Sequence, residues 1–221
     1  MRWVKLKTSR AQRRRARRPG RILALTGSIA MGKSTAAAFL KYLGIPIFDA
    51  DAEVHKLMGP RGKATKAVAA RFPGVHSPDG IDRKALGAIV FGNPAALTDL
   101  EAILHPLVHQ ERMQFLRKVG LRRAPVVALD IPLLFESKMP PNWDFVVVVS
   151  APAFLQRQRA LARPGMSEAK FNGILSRQWS DARKRARADA VIPSGLGKRE
   201  TLRRLKQILK VQAKRHPSSA M

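Results

Sequence analysis

Short apolar runs recur along the chain at Ile22–Leu25, Ile45–Phe48, Val126–Leu129 and Phe145–Val149, with a last one in Asp189–Ile192. Each is bounded by glycine, proline or acidic residues, so each reads as a strand. The unbroken β-branched run at Phe145–Val149 is the form of a strand covered on both faces. Between the runs the spacing changes to the helical period. Phe39, Leu40 and Leu43 mark an alanine-rich helix that stops at Leu43-Gly44. The text from Gly59 to about Gly120 reads as mostly helical. It contains a basic amphipathic segment at Arg61–Arg71, turns at Phe72-Pro-Gly74 and Ser77-Pro-Asp-Gly80, and a helix opening at Ile81-Asp82-Arg83 with Asp82 as cap. Asn93-Pro94 opens the next helix, with Asn at the N-cap and Pro at the first helical position. Its apolar stripe is Leu97, Leu100, Ile103, Leu104, Leu107 and Val108; His105-Pro106 predicts a kink or break within it. Ser150-Ala-Pro152 leads into a helix, and Ser167–Gln178 forms another that packs through Phe171, Ile174 and Leu175. Lys198–Gln212 is a terminal amphipathic helix with Leu202, Leu205, Ile208 and Leu209 inward. Strands alternating with helices fit the α/β class. No run reaches the roughly 18 apolar residues of a membrane span.

The first strand leads into Gly27-x-x-x-x-Gly32-Lys33-Ser34 and then directly into a helix. Strand, glycine-bounded loop and helix together form the context of a phosphate-binding loop. Consecutive backbone N–H groups converge there, and the helix start adds unpaired donors and a positive dipole end. The predicted nucleotide contacts are Gly27, Ser28, Ile29, Ala30, Met31, Gly32, Lys33, Ser34 and Thr35. Lys33 can reach the β- and γ-phosphates, and the Ser34 hydroxyl can hold Mg²⁺. Val126–Leu129 ends in Asp130, which can orient the same ion directly or through water. Asp49 and Asp51 follow the second strand, at the end where parallel sheets place ligands; Asp51 also suits the N-cap of the next helix. Arg159 and Arg163 share a helix face, and Arg177, Arg183, Lys184, Arg185 and Arg187 follow. This arginine-rich helical pair between two late strands fits a lid closing on phosphates, or else a solvated basic hairpin.

The formal charge of +27 favours anionic partners without choosing among nucleotides, nucleic acid and membranes. Nine positive side chains and no acid fall in residues 1–20, an extension that cannot bury a core and is expected to be disordered. The chain has no cysteine, which excludes disulfides and a thiol nucleophile and agrees with a reducing compartment.

These motifs, in this order, resemble the dephospho-CoA kinase family across residues 21–210. The resemblance is carried by Leu25–Thr35, Asp49-Ala-Asp51 with His55, Ile81-Asp-Arg83, His105-Pro106, Asp130-Ile-Pro-Leu-Leu-Phe-Glu136, Gln156-x-x-Arg159 with Arg163, Gln178, and Ala188–Ile192. It implies a P-loop kinase domain over 21–214, with a parallel-sheet core, a helical substrate-binding insertion at about 59–120 and a small helical lid at about 152–187. Residues 1–20 and 215–221 are extensions. It also implies transfer of the ATP γ-phosphate to the ribose 3′-hydroxyl of dephospho-CoA, with Mg²⁺ as cofactor. Asp51 would be the general base, aided by Lys33, Arg159 and Arg163, and Arg83 and His105 would lie near the acceptor. Ser34 and Asp130 would serve the metal. The expected partners are ATP and dephospho-CoA, with no nucleic acid and no membrane required. A cytoplasmic monomer is expected. The family loop more often carries glycine where this chain has Ser28 and Ala30. Alanine at positive φ is strained by about 1 kcal/mol or more, so a negative φ is expected at Ala30.

Two other readings compete. A nucleoside or nucleotide kinase shares the loop and the lid. A nucleic-acid-binding ATPase would use the +27 charge, although one Tyr, nine Phe and three Trp leave few aromatics for base stacking.

Overall fold

The computed structural model describes residues 20–90, 92–122, 124–137 and 142–214. The expectations for the basic extension up to Pro19 and for 215–221 lie outside them. The chain forms two compact units. One takes the described residues up to Phe48 and those from Leu116 onward; the other is Asp49–Phe115.

The first unit is built on a five-stranded sheet of order β2-β5-β1-β6-β7. Its strands are β1 (Arg21–Thr26), β2 (Ile47–Asp49), β5 (Val126–Asp130), β6 (Phe145–Ser150) and β7 (Ala190–Pro193). β1 pairs in parallel with both β5 and β6, and β6 in parallel with β7. β1 is therefore internal, and burial of Ile22 through Thr26 follows from neighbours on both edges and helices on the faces. Helix α1 (Lys33–Tyr42) and the terminal helix α9 (Lys198–Lys214) cover one face. There Leu23, Leu25, Leu40, Val147, Ile192 and Leu205 meet in one apolar cluster. Two acids near strand ends fix the register. Asp144 accepts a hydrogen bond from the Ile22 N–H, and Asp189 accepts one from the Val146 N–H, both at 2.7 Å. Between β6 and β7 run three short helices, α6 (Ala153–Leu161), α7 (Glu168–Leu175) and α8 (Asp181–Ala186). Ser167 and Ser180 cap α7 and α8 by accepting from the N–H groups of Lys170 and Arg183.

The second unit holds α2 (Ala50–Leu57), α3 (Thr65–Arg71), a hairpin of β3 (His76–Ser77) and β4 (Gly80–Ile81), α4 (Arg83–Val90) and most of α5 (Pro94–Leu121). The turn residues Ser77–Gly80 form this hairpin, a strand pair the sequence did not suggest. Asp82 and Asn93 cap as expected, accepting from the N–H groups of Lys84 and Ala85 and of Ala96. Two expectations are corrected. Asp49, not Asp51, caps α2, accepting from the Ala52 N–H at 3.0 Å, which leaves Asp51 exposed in the first turn. Of the kink or break expected at His105-Pro106, the break does not occur: α5 runs through Pro106. A proline inside a helix costs about 3 kcal/mol, and burying Leu100, Leu104 and Val108 outweighs it. Among the described residues no helix is long and apolar enough to cross a membrane.

The expectation at Ala30 is also overturned: its φ is +60°, the only positive value among described residues other than glycine. The left-handed region costs alanine about 1–2 kcal/mol. Two effects offset this. The Ala30 methyl packs against Ala160 and Phe171, with Met166 and Leu175 at the margin, and burying one methyl contributes about 0.8 kcal/mol. Alanine also leaves the unfolded chain about 0.4–1 kcal/mol less entropy to lose than glycine would. The terms nearly cancel. Ala30→Gly should therefore alter unfolding stability by no more than about 1 kcal/mol, whereas Ala30→Val, β-branched at positive φ, should lower it by about 1–3 kcal/mol, both read from urea transitions.

Candidate active site

The loop between β1 and α1 is shaped by what surrounds its glycines. A Cβ on Gly27 would lie 2.6 Å from the Val149 carbonyl oxygen, so no side chain fits. Gly32 has φ +88°, and a Cβ there would meet the Ser194 hydroxyl at 2.9 Å. The Gly32 carbonyl starts the helix by accepting from the Thr35 and Ala36 N–H groups. The N–H groups of Gly32, Lys33 and Ser34 meet no acceptor among the described residues. These are the orphan donors of a helix start, at its positive dipole end.

Lys33 and Asp130 meet in this site. Parallel pairing puts Asp130 beside Leu25, one strand from the loop, and Lys33 Nζ lies 2.6 Å from Asp130 Oδ1. Asp130 is buried, while the Lys33 side chain keeps 17% of its surface exposed. The cation is thus reachable from solvent at the loop's mouth, with its counter-charge below it.

Arg159, on α6, also reaches the loop. Its guanidinium donates to the Ser194 hydroxyl at 3.0 Å and to the Ser194 carbonyl at 3.1 Å. That hydroxyl in turn donates to the Met31 carbonyl at 2.6 Å. The Met31 thioether accepts from the Ala151 N–H at 3.1 Å. Arg163, just past the end of α6, is exposed, and its guanidinium makes no hydrogen bond or ion pair among the described residues. Ser34 is exposed at the helix start, and Thr35 is half-buried behind it. Ser28 is buried, its hydroxyl without a hydrogen bond among the described residues.

The remaining expected residues belong to the second unit. Asp51 is exposed on α2, and His105 is exposed on α5. Arg83 Nη1 lies 3.0 Å from His55 Nδ1, which joins two residues that sequence reasoning had singled out separately. Arg112, on α5, is buried, and desolvation pulls its pKa below the ordinary guanidinium value.

Sequence reasoning passed over two groups near the loop. Ser194, just after the last strand, carries no local mark, because its partners lie far away in sequence. Glu136 received no role. It accepts from the Trp179 N–H at 2.7 Å and pairs with the fully buried Lys184 ammonium at 2.9 Å. Beside it the Trp179 ring stacks on Phe135, and the Arg183 guanidinium also lies over the Trp179 ring.

The dephospho-CoA kinase family model matches residues 21–197. A dephospho-CoA kinase of Rhodospirillum rubrum is 57% identical over 186 residues, covering 84% of this chain and 88% of its own. One from Novosphingobium aromaticivorans is 50% identical over 196 residues, covering 89% and 96%. A crystal structure from Thermus thermophilus superposes with a TM-score of 0.75 at 34% identity, over 87% of this chain and 98% of that one. The dephospho-CoA kinase structure from Campylobacter jejuni, at 24% identity and a TM-score of 0.61, shares the fold. With a family model that matches residues 21–197 and relatives 57% and 50% identical along most of their length, the chain belongs to the dephospho-CoA kinase family.

Proposed function

We propose that this protein transfers the γ-phosphoryl group of ATP to the ribose 3′-hydroxyl of dephospho-CoA, giving coenzyme A and ADP. The observation that carries the site assignment is the Lys33–Asp130 pair beside the unbonded N–H groups of Gly32, Lys33 and Ser34. Those amides and the Lys33 ammonium suit the β- and γ-phosphates, and they need no rearrangement as charge shifts during transfer. The wider cradle is Gly27–Thr35.

Asp51 serves as general base. The acceptor hydroxyl is a poor nucleophile at neutral pH, so a carboxylate that takes its proton as the new O–P bond forms lowers the barrier. The bond from Pγ to the bridging oxygen breaks, and ADP leaves. Asp51 suits this role because it is exposed and, unlike Asp49, is not engaged as a helix cap. Arg159, fixed by Ser194 beside the loop, neutralises charge on the transferring group, and the untethered Arg163 joins it when α6–α8 close as a lid. Arg83 and His105 contact the acceptor, which makes the helical stretch at about 59–120 the substrate-binding insertion.

The donor set fits Mg²⁺. Among the described residues no group of three or more His, Cys, Asp or Glu is assembled. Magnesium with a nucleotide takes one or two protein ligands and fills the rest with water and phosphate oxygens. Ser34 and Asp130 would hold it, Asp130 directly or through water, and when bound it supplies neutralisation of phosphate charge. A cytoplasmic setting, where ATP is abundant, accompanies this reading.

ATP consumption should depend on dephospho-CoA and not on nucleoside monophosphates; turnover of the monophosphates alone would assign the chain to nucleotide kinases instead. Asp51→Asn should leave ATP affinity nearly unchanged and lower kcat roughly 10²-fold or more, since a positioned base contributes about that much. Lys33→Ala should weaken ATP binding and the chemical step together, checked by calorimetry and by single-turnover rates.

A further inference from the structure

Two glutamines between β6 and β7, Gln156 on α6 and Gln178 in the bend between α7 and α8, have no place in the chemistry above, yet both close on one residue of the loop. Gln178 Oε1 accepts from the Ile29 N–H at 3.0 Å. Gln156 Nε2 donates to the Ile29 carbonyl at 2.9 Å. Gln156 is buried, with 6% of its surface exposed, and Gln178 is half-buried. The amide senses follow from the partners, since an N–H can only donate and a carbonyl can only accept.

We propose that Gln156 and Gln178 are positioning residues that clamp the Ile29 backbone and so set which loop N–H groups remain available to phosphate. The peptide bonds are trans, so each carbonyl points opposite to the N–H of its own peptide. Holding the Ile29 N–H on Gln178 turns the Ser28 carbonyl the other way, where it accepts from the Met31 N–H at 3.2 Å and closes the turn. Holding the Ile29 carbonyl on Gln156 turns the Ala30 N–H away from α6, and among the described residues it meets no acceptor. Between the two held peptides and Met31, Ala30 takes its left-handed conformation and rests its methyl on Ala160 of α6 and Phe171 of α7. The loop's shape is therefore written by side chains more than 120 residues downstream, in the same helical segment that carries Arg159 and Arg163. Any displacement of these helices changes the orientation of the Ile29 peptides, which couples lid position to phosphate binding.

The proposal rests on the reading that this loop holds the ATP phosphates, and the experiment separates the two. Gln156→Met and Gln178→Met remove each bond at nearly constant side-chain length. Each should raise KM for ATP about tenfold, the worth of one neutral hydrogen bond, with KM for dephospho-CoA within about twofold. Gln156→Glu and Gln178→Glu add the same charge beside the loop but differ in hydrogen-bond sense. A carboxylate at 178 still accepts from the Ile29 N–H, whereas one at 156 faces a carbonyl. KM for ATP in Gln156→Glu should thus exceed that in Gln178→Glu by about tenfold. Amide exchange at Ile29, followed by NMR without nucleotide, should accelerate about tenfold in Gln178→Met and stay near wild type in Gln178→Glu. Equal KM values for the two glutamate variants, or unchanged Ile29 exchange in Gln178→Met, would overturn the clamp. Unchanged ATP affinity in Lys33→Ala would overturn the phosphate-loop reading while the exchange measurement still decides the clamp.

Discussion

The constraint on which the structure turns is a backbone that must leave its own donors unpaired. In most of the molecule, buried N–H groups are satisfied within helices and the sheet. Between β1 and α1 several are kept open, and the loop that exposes them is closed from within by the bond from the Met31 N–H to the Ser28 carbonyl, with little else of its own. Its stability is borrowed. Ile29 is held by Gln156 and Gln178, Met31 by Ser194 and Ala151, and the Ala30 methyl by Ala160 and Phe171. Each support comes from beyond β6, so the glycine-bounded loop and the segment that carries the arginines are one mechanical assembly. Left-handed conformations at Ala30 and Gly32 persist because the surroundings over-determine them.

Charge is managed in the same manner. The Lys33 ammonium is placed against the buried Asp130 carboxylate, and neither is left without an opposite charge. Lys184, fully buried on α8, is matched by Glu136, which also receives the Trp179 N–H. Removing one member of such a pair commonly costs about 3–5 kcal/mol, because the survivor is stranded away from water. Glu136 follows β5 and Asp130 in the chain, so the strand that presents the acid to Lys33 also leads to the anchor for the end of the helical segment. A net charge of +27 contributes nothing to this arrangement; the few acids near the loop do, because they stand at defined places among the cations.

How much of this was legible in the sequence depends on how local each cause is. The strand Ile22–Leu25, the glycine-bounded loop and the helix after it are encoded within some twenty residues, and they appear as read. The caps at Asp82 and Asn93 are likewise local, since a side chain reaches two or three residues ahead. The misreadings have a common origin. Asp51 looked like a cap because acids follow a strand there, but β2 ends on Asp49 and the helix begins one residue later. Pro106 looked like a breaker because local propensity says so, and burial of the stripe at Leu100, Leu104 and Val108 overrode it. Ala30 looked safe only at negative φ, because the cost of the left-handed region is local while its compensation lies on α6 and α7.

The sequence by itself determined the alternation of strand and helix, the glycine-bounded loop between the first strand and its helix, and the family to which the chain belongs, because hydrophobic period and short motifs are properties of neighbouring residues. Only the tertiary structure decided that Lys33 meets Asp130, that Ser194 ties Arg159 to Met31, and that two distant glutamines close on Ile29. Those contacts join residues about 35 to 165 positions apart. A hydrogen bond is satisfied or orphaned by geometry within about 3 Å, and no pattern along the chain records which distant atom will arrive there.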